Sequence, residues 1–319
     1  MKKSSRREFL STTASCSAWL MSLAAARPLA TRAIFQESQE NEKLHEEKWG
    51  WIEKLAEGVY SHISTPFENR DFTTVCNGGF IVGSERVLVV EAFQQPKGAK
   101  WLAEKCKELT GKWPTDVVLT HFHGDHVSGS AGFKSDEGTP KMWVTDKTIE
   151  MVESSQQGRD STLLDDLETI SSTEKTEVDL GGRSVVIQPF VGHTPSDVIV
   201  EVVDPNIVFT GDLFWNRMVP NFRDAKPTSW APSISSLERE EETKFVPGHG
   251  TMATMEDVKL FGEFLQVLED AAKSAHKAGK ESTKAAEEFE LEGKFKDWYV
   301  FSQSVIPFVF SSWYKELEG

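Results

Sequence analysis

The stretch THFHGDHVSG, residues 120–129, sets His121, His123, Asp125 and His126 within six positions of a chain that has only eight histidines. Imidazole nitrogens and carboxylate oxygens are the side-chain donors that suit a divalent cation such as Zn2+. A buried polar core has no need of four such groups side by side, whereas a metal site does. His121 and His123 alternate after the apolar run PTDVVLT, so both can project to one side, and Gly124 permits the tight turn that brings Asp125 and His126 round. Three further groups share this setting. His193 lies in FVGHTPSD, Asp212 in FTGDLFW and His249 in VPGHG, each at the end of a predicted strand and beside glycine. Loops at strand ends, carried on a rigid scaffold, are where binding groups collect. His45, His62 and His276 fall outside the pattern and take no role.

The elements that must position these residues follow a β-rich grammar. TTVCNGGFIVG and RVLVVEA flank SER and predict a hairpin. PKGAKWLAEKCKELTG has helical spacing of Trp101, Leu102, Cys106 and Leu109, with Gly111 as its cap. PTDVVLT predicts a buried strand running straight into the histidine cluster. A second run repeats the order: TEVDLGGRSVVIQPF predicts a hairpin across Gly181-Gly182, DVIVEVVD and NIVFT two strands, and TKFVPGHG a short strand ending in a loop. Helices between the strands fit two packed sheets with helices outside. The charge run SSLEREEETK predicts a solvated helix face. Residues 34–53 are polar and predict a linker, 54–252 form the β-rich domain, and 253–319 form a helical extension packed on its core.

At 319 residues, with 39% hydrophobic and 27% charged residues, the composition is that of a globular protein able to bury a substantial core. Residues 1–33 have a basic start, a short hydroxyl-rich apolar middle and small residues near the end, and SRREFL resembles the twin-arginine export motif. A periplasmic or extracellular location follows; an N-terminal anchor is the alternative, although the middle is short for a span. The whole chain is −15, residues 1–33 carry +5, and the remainder is −20. Such an acidic body argues against nucleic acid and anionic membrane surfaces as partners, and the expected partner is a fairly apolar small-molecule substrate. Cys76 and Cys106 lack the framework of a disulfide scaffold and read as two buried thiols, with pairing as the alternative.

HFHGDH, GHTPSD, GDLFW and PGHG, in that order, resemble the metallo-β-lactamase-fold hydrolases over about residues 54–252. The resemblance implies an αββα sandwich. It implies one metal on His121, His123 and His193, a second on Asp125, His126 and His249, and Asp212 bridging both, with Zn2+ favoured and Fe or Mn as alternatives. It further implies a metal-activated water that attacks an acyl carbon, with Asp125 orienting that water as well as ligating. Asp197, four residues past His193, is a candidate acceptor for a ligand imidazole.

Members whose main task is β-lactam hydrolysis usually carry Cys or Ser where this chain has Asp212; Asp there resembles the glyoxalase II and lactonase branches. Three residues on, relatives use a lysine or a tyrosine on the substrate, and this chain has Trp215, an apolar face with one N–H donor. Trp215, Phe214 and Met218, with Phe67 and Phe72 on an early loop, predict an apolar substrate pocket. Arg217, Arg223 and Lys226 are candidate anion contacts. The expected function is an exported dinuclear zinc hydrolase of an ester, thioester, lactone or amide. A β-lactam hydrolase and a mononuclear-iron sulfur dioxygenase of the same fold are the alternatives.

Overall fold

The computed structural model describes residues 41–64, 71–155 and 166–319. Its strands are β1 Lys43–Glu47, β2 Gly50–Ala56, β3 Val59–Ser64, β4 Gly78–Val82, β5 Val87–Val90, β6 Asp116–Val118, β7 Lys141–Thr145, β8 Leu167–Ile170, β9 Thr176–Asp179, β10 Ser184–Phe190, β11 Asp197–Val202, β12 Ile207–Trp215 and β13 Lys244–His249. Its α-helices are α1 Pro96–Thr110, α2 Gly124–Val127, α3 Asp146–Ser154, α4 Pro227–Ser235, α5 Met255–Lys277, α6 Ser282–Glu288 and α7 Val305–Glu318. Among the described residues, β1 to β8 form one sheet in sequence order, antiparallel through β5 and parallel from there. The order β13-β12-β11-β10-β9 forms the second, with only the β12–β13 pair parallel.

Strand alternation explains the layering. Leu88 and Val90 point inward to meet Val185, Ile187, Val198, Val200 and Phe209 of the second sheet. Their neighbours Val87 and Val89 point outward against Trp101, Leu102 and Cys106 of α1. In the second sheet Ile199, Val208 and Phe245 face outward onto Phe261, Phe264 and Leu265 of α5 and Phe310 of α7. Strands buried on both faces read as continuous apolar runs, which is how VLVV and DVIVEV appear. The architecture is therefore the αββα sandwich, and the C-terminal helices share the outer core of the second sheet. Helix α1 starts with Pro96 in its first turn and ends at Gly111, whose φ of 76° and N–H to the Lys107 carbonyl make a left-handed cap. Thr254 and Asp257 form a capping box at the start of α5.

Two expectations need correction. The predicted linker, residues 34–53, is in its later part β1 and the start of β2, paired on β3. Its charge is that of a mostly solvent-facing edge strand, while Trp49 and Ile52 enter the core beneath α1. The run SSLEREEETK leaves helix after Ser235 and continues as turns, with Arg239 held by Glu201 at 3.0 Å. Cys76 and Cys106 are free and buried, as the plainer reading expected. No helix of the described residues is long and apolar enough to cross a membrane.

Candidate metal centre

The site lies where four strand ends converge. β6 leads into Thr120, His121 and His123, and the single turn α2 follows with Asp125 and His126. His193 occupies the turn between β10 and β11, Asp212 a bulged stretch of β12, and His249 the end of β13. Two groups of donors form: His121, His123, His193 and Asp212, and Asp125, His126 and His249, with each group's ligand atoms all within 4.8 Å of one another. Asp212 faces both. Its Oδ2 lies 3.2 Å from His193 Nε2 and 3.8 Å from His121 Nε2, while Oδ1 lies 3.1 Å from His126 Nε2 and 3.3 Å from His249 Nε2.

The donor set fits cations. His121 Nε2 and His193 Nε2 stand 3.0 and 2.9 Å from His123 Nδ1. Three ring nitrogens facing one another this closely cannot all be paired by protons, because a neutral imidazole has one donor and one acceptor. The tautomer of His121 can be deduced. The Thr120 hydroxyl has one proton, and its 2.5 Å contact with Glu91 Oε1 uses it. At 3.0 Å, His121 Nδ1 must then be the donor to Thr120, which leaves Nε2 with its lone pair toward the cluster. The room is also shaped for a carboxylate: a Cβ on Gly248 would stand 2.0 Å from Asp212 Oδ1.

The electrostatics ask for positive charge. Burial, then repulsion from His126, holds His121 well below the usual histidine range, and burial takes His193 to about 3. Burial also opposes charge on His249, but Asp212 and Asp125 outweigh it and raise the ring to about 9. Burial would raise Asp125, yet His126 and His249 bring it down to about 2. Without an ion, protons on the second group balance its carboxylates; a cation binding there would displace them.

All seven predicted ligands thus meet in one place. Glu91 escaped the sequence reading. It is buried, meets His126 Nδ1 at 2.9 Å and, through Thr120, orients His121 as well. Its φ of 76° is a strained conformation that turns the side chain into the site; the available signal was an acid closing the apolar run RVLVVEA. Asp224 was also missed, and its Oδ2 lies 2.9 Å from His123 Nε2. Asn77 reaches across from the first sheet to the Pro247 and Gly250 carbonyls at 2.9 and 2.8 Å, bracing the loop of His249.

Other predicted residues fall differently. Asp197 does not touch a ligand imidazole; it accepts from Thr194 N and Oγ1 at 3.0 and 2.6 Å and so closes the turn that carries His193. Burial raises its carboxyl to about 7. Phe214 has no exposed surface and packs on Phe261 of α5, so it is core rather than pocket wall. Trp215 is 2% exposed, its ring 4.1 Å from that of His249, and Phe301 stacks over it at 5.6 Å. Met218 is likewise buried, bridging to Tyr299. Phe72 is exposed, and Phe67 lies outside the described residues. Arg217 pairs with Asp257 at 3.0 Å and Arg223 lies over Phe308, so both turn toward the C-terminal segment.

Comparison with known proteins agrees with this geometry. A metallo-beta-lactamase type 2 from Bacillus sp. (strain 170) is 29% identical over 206 residues, covering 62% of this chain and 76% of that protein. Two solved structures share the fold. A metallo-beta-lactamase from Pontibacter korlensis superposes with TM-score 0.57 at 19% identity, covering 68% of this chain and 99% of its own. The stereoselective inverting sec-alkylsulfatase Pisa1 from Pseudomonas sp. superposes with TM-score 0.65 at 15% identity, covering 82% of this chain and 49% of its own. The family model for the metallo-beta-lactamase superfamily matches residues 72–249, a span that holds all seven donors and more than half of the chain. The protein therefore belongs to the metallo-beta-lactamase superfamily and is a metal-dependent hydrolase.

Proposed function

We propose that the protein is an exported dinuclear zinc hydrolase that cleaves an ester, thioester, lactone or amide bond in a fairly apolar small molecule. The observation that carries this reading is the two-sided presentation of Asp212, with one oxygen toward each donor group. His121, His123 and His193 would hold one Zn2+, Asp125, His126 and His249 the other, and Asp212 both. Two such ions would lower the pKa of a shared water toward ~7 and polarise the scissile carbonyl.

The chain's own groups supply the rest. Glu91 sets the ring orientation of His121 through Thr120 and places its carboxylate 2.9 Å from His126 Nδ1. Asp125 is the ligand carboxylate with a more open side, its side chain 23% exposed, which suits it to orient the attacking water. Phe301, partly exposed over the buried Trp215, offers the apolar wall to substrate and keeps bulk water from His249.

Metal analysis joined to a turnover panel of nitrocefin, lactones, thioesters and simple esters tests the reading. Two zinc per chain with ester or thioester turnover is expected; a single iron and no hydrolysis would replace it with the sulfur dioxygenase alternative. A second reading, β-lactam hydrolysis, is favoured by the 29% identity to the Bacillus enzyme, and nitrocefin turnover above that of the esters would establish it. Export rests on SRREFL; replacing Arg6 and Arg7 with Lys is expected to leave the protein in the cytoplasm, and undiminished export of that variant would refute it.

A further inference from the structure

We propose that the C-terminal helix α7 tunes the metal affinity of the His121/His123/His193 site by holding Asp224 against His123. The inference rests on the metal reading of that donor group and goes beyond it, because α7 lies wholly outside the matched span, residues 72–249.

His123 is the least buried of the ligand rings, with a side chain 12% exposed, and Asp224 Oδ2 lies 2.9 Å from its Nε2. A carboxylate can only accept, so Nε2 carries the proton and Nδ1 keeps its lone pair. That lone pair faces His121 Nε2 and His193 Nε2 at 3.0 and 2.9 Å. Asp224 is therefore a positioning residue: it selects which nitrogen of His123 can bind the ion and fixes the plane of its ring.

Asp224 stands on a turn with no strand or helix of its own, between Asn221 and Lys226. Such a turn would wander unless tied down. The ties come from one face of α7. Phe308 receives the guanidinium of Arg223 at 5.0 Å from its ring centre, Ser312 Oγ donates to the Phe222 carbonyl at 2.5 Å, and Glu316 Oε2 accepts from Thr228 N and Oγ1 at 3.1 and 2.6 Å. These three residues are spaced by four, the repeat that aligns side chains along one side of a helix. They bracket Asp224 on both sides. Lys226 N donates to the Gly192 carbonyl at 2.8 Å, which ties the same turn to the loop of His193. The helix is itself anchored through Val305, Val309, Phe310 and Trp313 in the outer core, so the clamp has a fixed base.

The test titrates the full-length protein, loaded with Co2+ or Zn2+, against a competing chelator, and follows the Co2+ ligand-field spectrum with thermal unfolding in parallel. Asp224→Ala is expected to weaken one of the two ions about 10- to 100-fold, the usual effect of losing such a partner, and to leave the other at its wild-type affinity. Asp224→Glu should recover part of the loss. Ser312→Ala combined with Glu316→Gln should weaken the same ion roughly 3- to 10-fold, a fraction of that effect, while Glu318→Gln, on the side of α7 that faces His276, should change neither. The inference is overturned if the Ser312/Glu316 variant lowers the unfolding temperature but leaves both affinities unchanged, or if Asp224→Ala weakens both ions alike. A wild-type protein that takes up no metal would instead defeat the metal reading beneath it, and the inference with it.

Discussion

His123 and His126 sit three residues apart on one turn, yet they are held from opposite directions. His126 is fully buried and is met from below by Glu91, only 1% of whose side chain is exposed. His123 reaches the rim, and its partner Asp224 is 35% exposed, on a turn held by the C-terminal helix and by the loop of His193. The floor is built into the first sheet itself, at the end of β5, and solvent screens it little. The rim is borrowed from chain that folds elsewhere, and salt and water weaken contacts there. The same division recurs among the aromatics, where Trp215 is sealed against His249 and Phe301 covers it with a partly open face.

The floor should fail as a unit. Gly248→Ala is expected to have the largest effect, because the new Cβ would meet Asp212 Oδ1 at 2.0 Å and backbone of Gly211 and Asp212 at 2.7 and 2.8 Å. Metal content should fall at both donor groups and turnover should fall by orders of magnitude; retention of the wild-type metal content by this variant would show that the floor can yield.

Trp215 and Phe301 sharpen the contrast between floor and rim. Trp215→Ala should cost about 3–5 kcal/mol of stability, as truncating a buried large ring does, whereas Phe301→Ala should mainly raise KM for apolar substrates, by a factor worth ~1–3 kcal/mol. Urea unfolding and Michaelis kinetics on the pair separate the two; a KM rise for Trp215→Ala without loss of stability would restore it to the pocket wall.

Glu91→Gln should weaken metal binding at both donor groups, each about 10- to 100-fold, since one carboxylate orients His121 through Thr120 and faces His126. A loss confined to one ion would break the symmetry between His121 and His126.

The smallest effect concerns pH and lies away from the metals. His62 is fully buried between Phe93 and Trp101, and burial pushes its pKa down to about 3. The folded protein therefore holds it neutral while the unfolded chain takes up a proton below about 6.5. Its contribution is present above that pH and is lost as pH falls toward 3. Between pH 7 and 5 the loss should be about 2 kcal/mol, and His62→Phe should flatten that part of the curve in urea titrations of the metal-loaded protein. Equal slopes for the two proteins would mean that His62 is protonated in the fold.

Most of the first layer of the site was legible because ligand chemistry is local. His121, His123, Asp125 and His126 share one turn, and His193, Asp212 and His249 each close an apolar run beside glycine, so residue type and spacing alone marked them. The sandwich was legible for a similar reason, since continuous apolar runs report burial on both faces. Residues 43–53 were read as linker because an edge strand is solvated on much of its surface and its charge hides its pairing.

What the sequence alone determined, then, is which groups can bind a cation and which segments are buried strands, because donor chemistry and hydrophobic periodicity are properties of neighbours along the chain. The tertiary structure decided which nitrogen His121 and His123 present, that Trp215 and Phe214 lie within the core, and that Glu91 and Asp224, 30 and 101 positions from His121 and His123, complete the centre. Those facts depend on contacts between segments far apart in the chain, and single hydrogen bonds across such distances leave no pattern in the order of the residues.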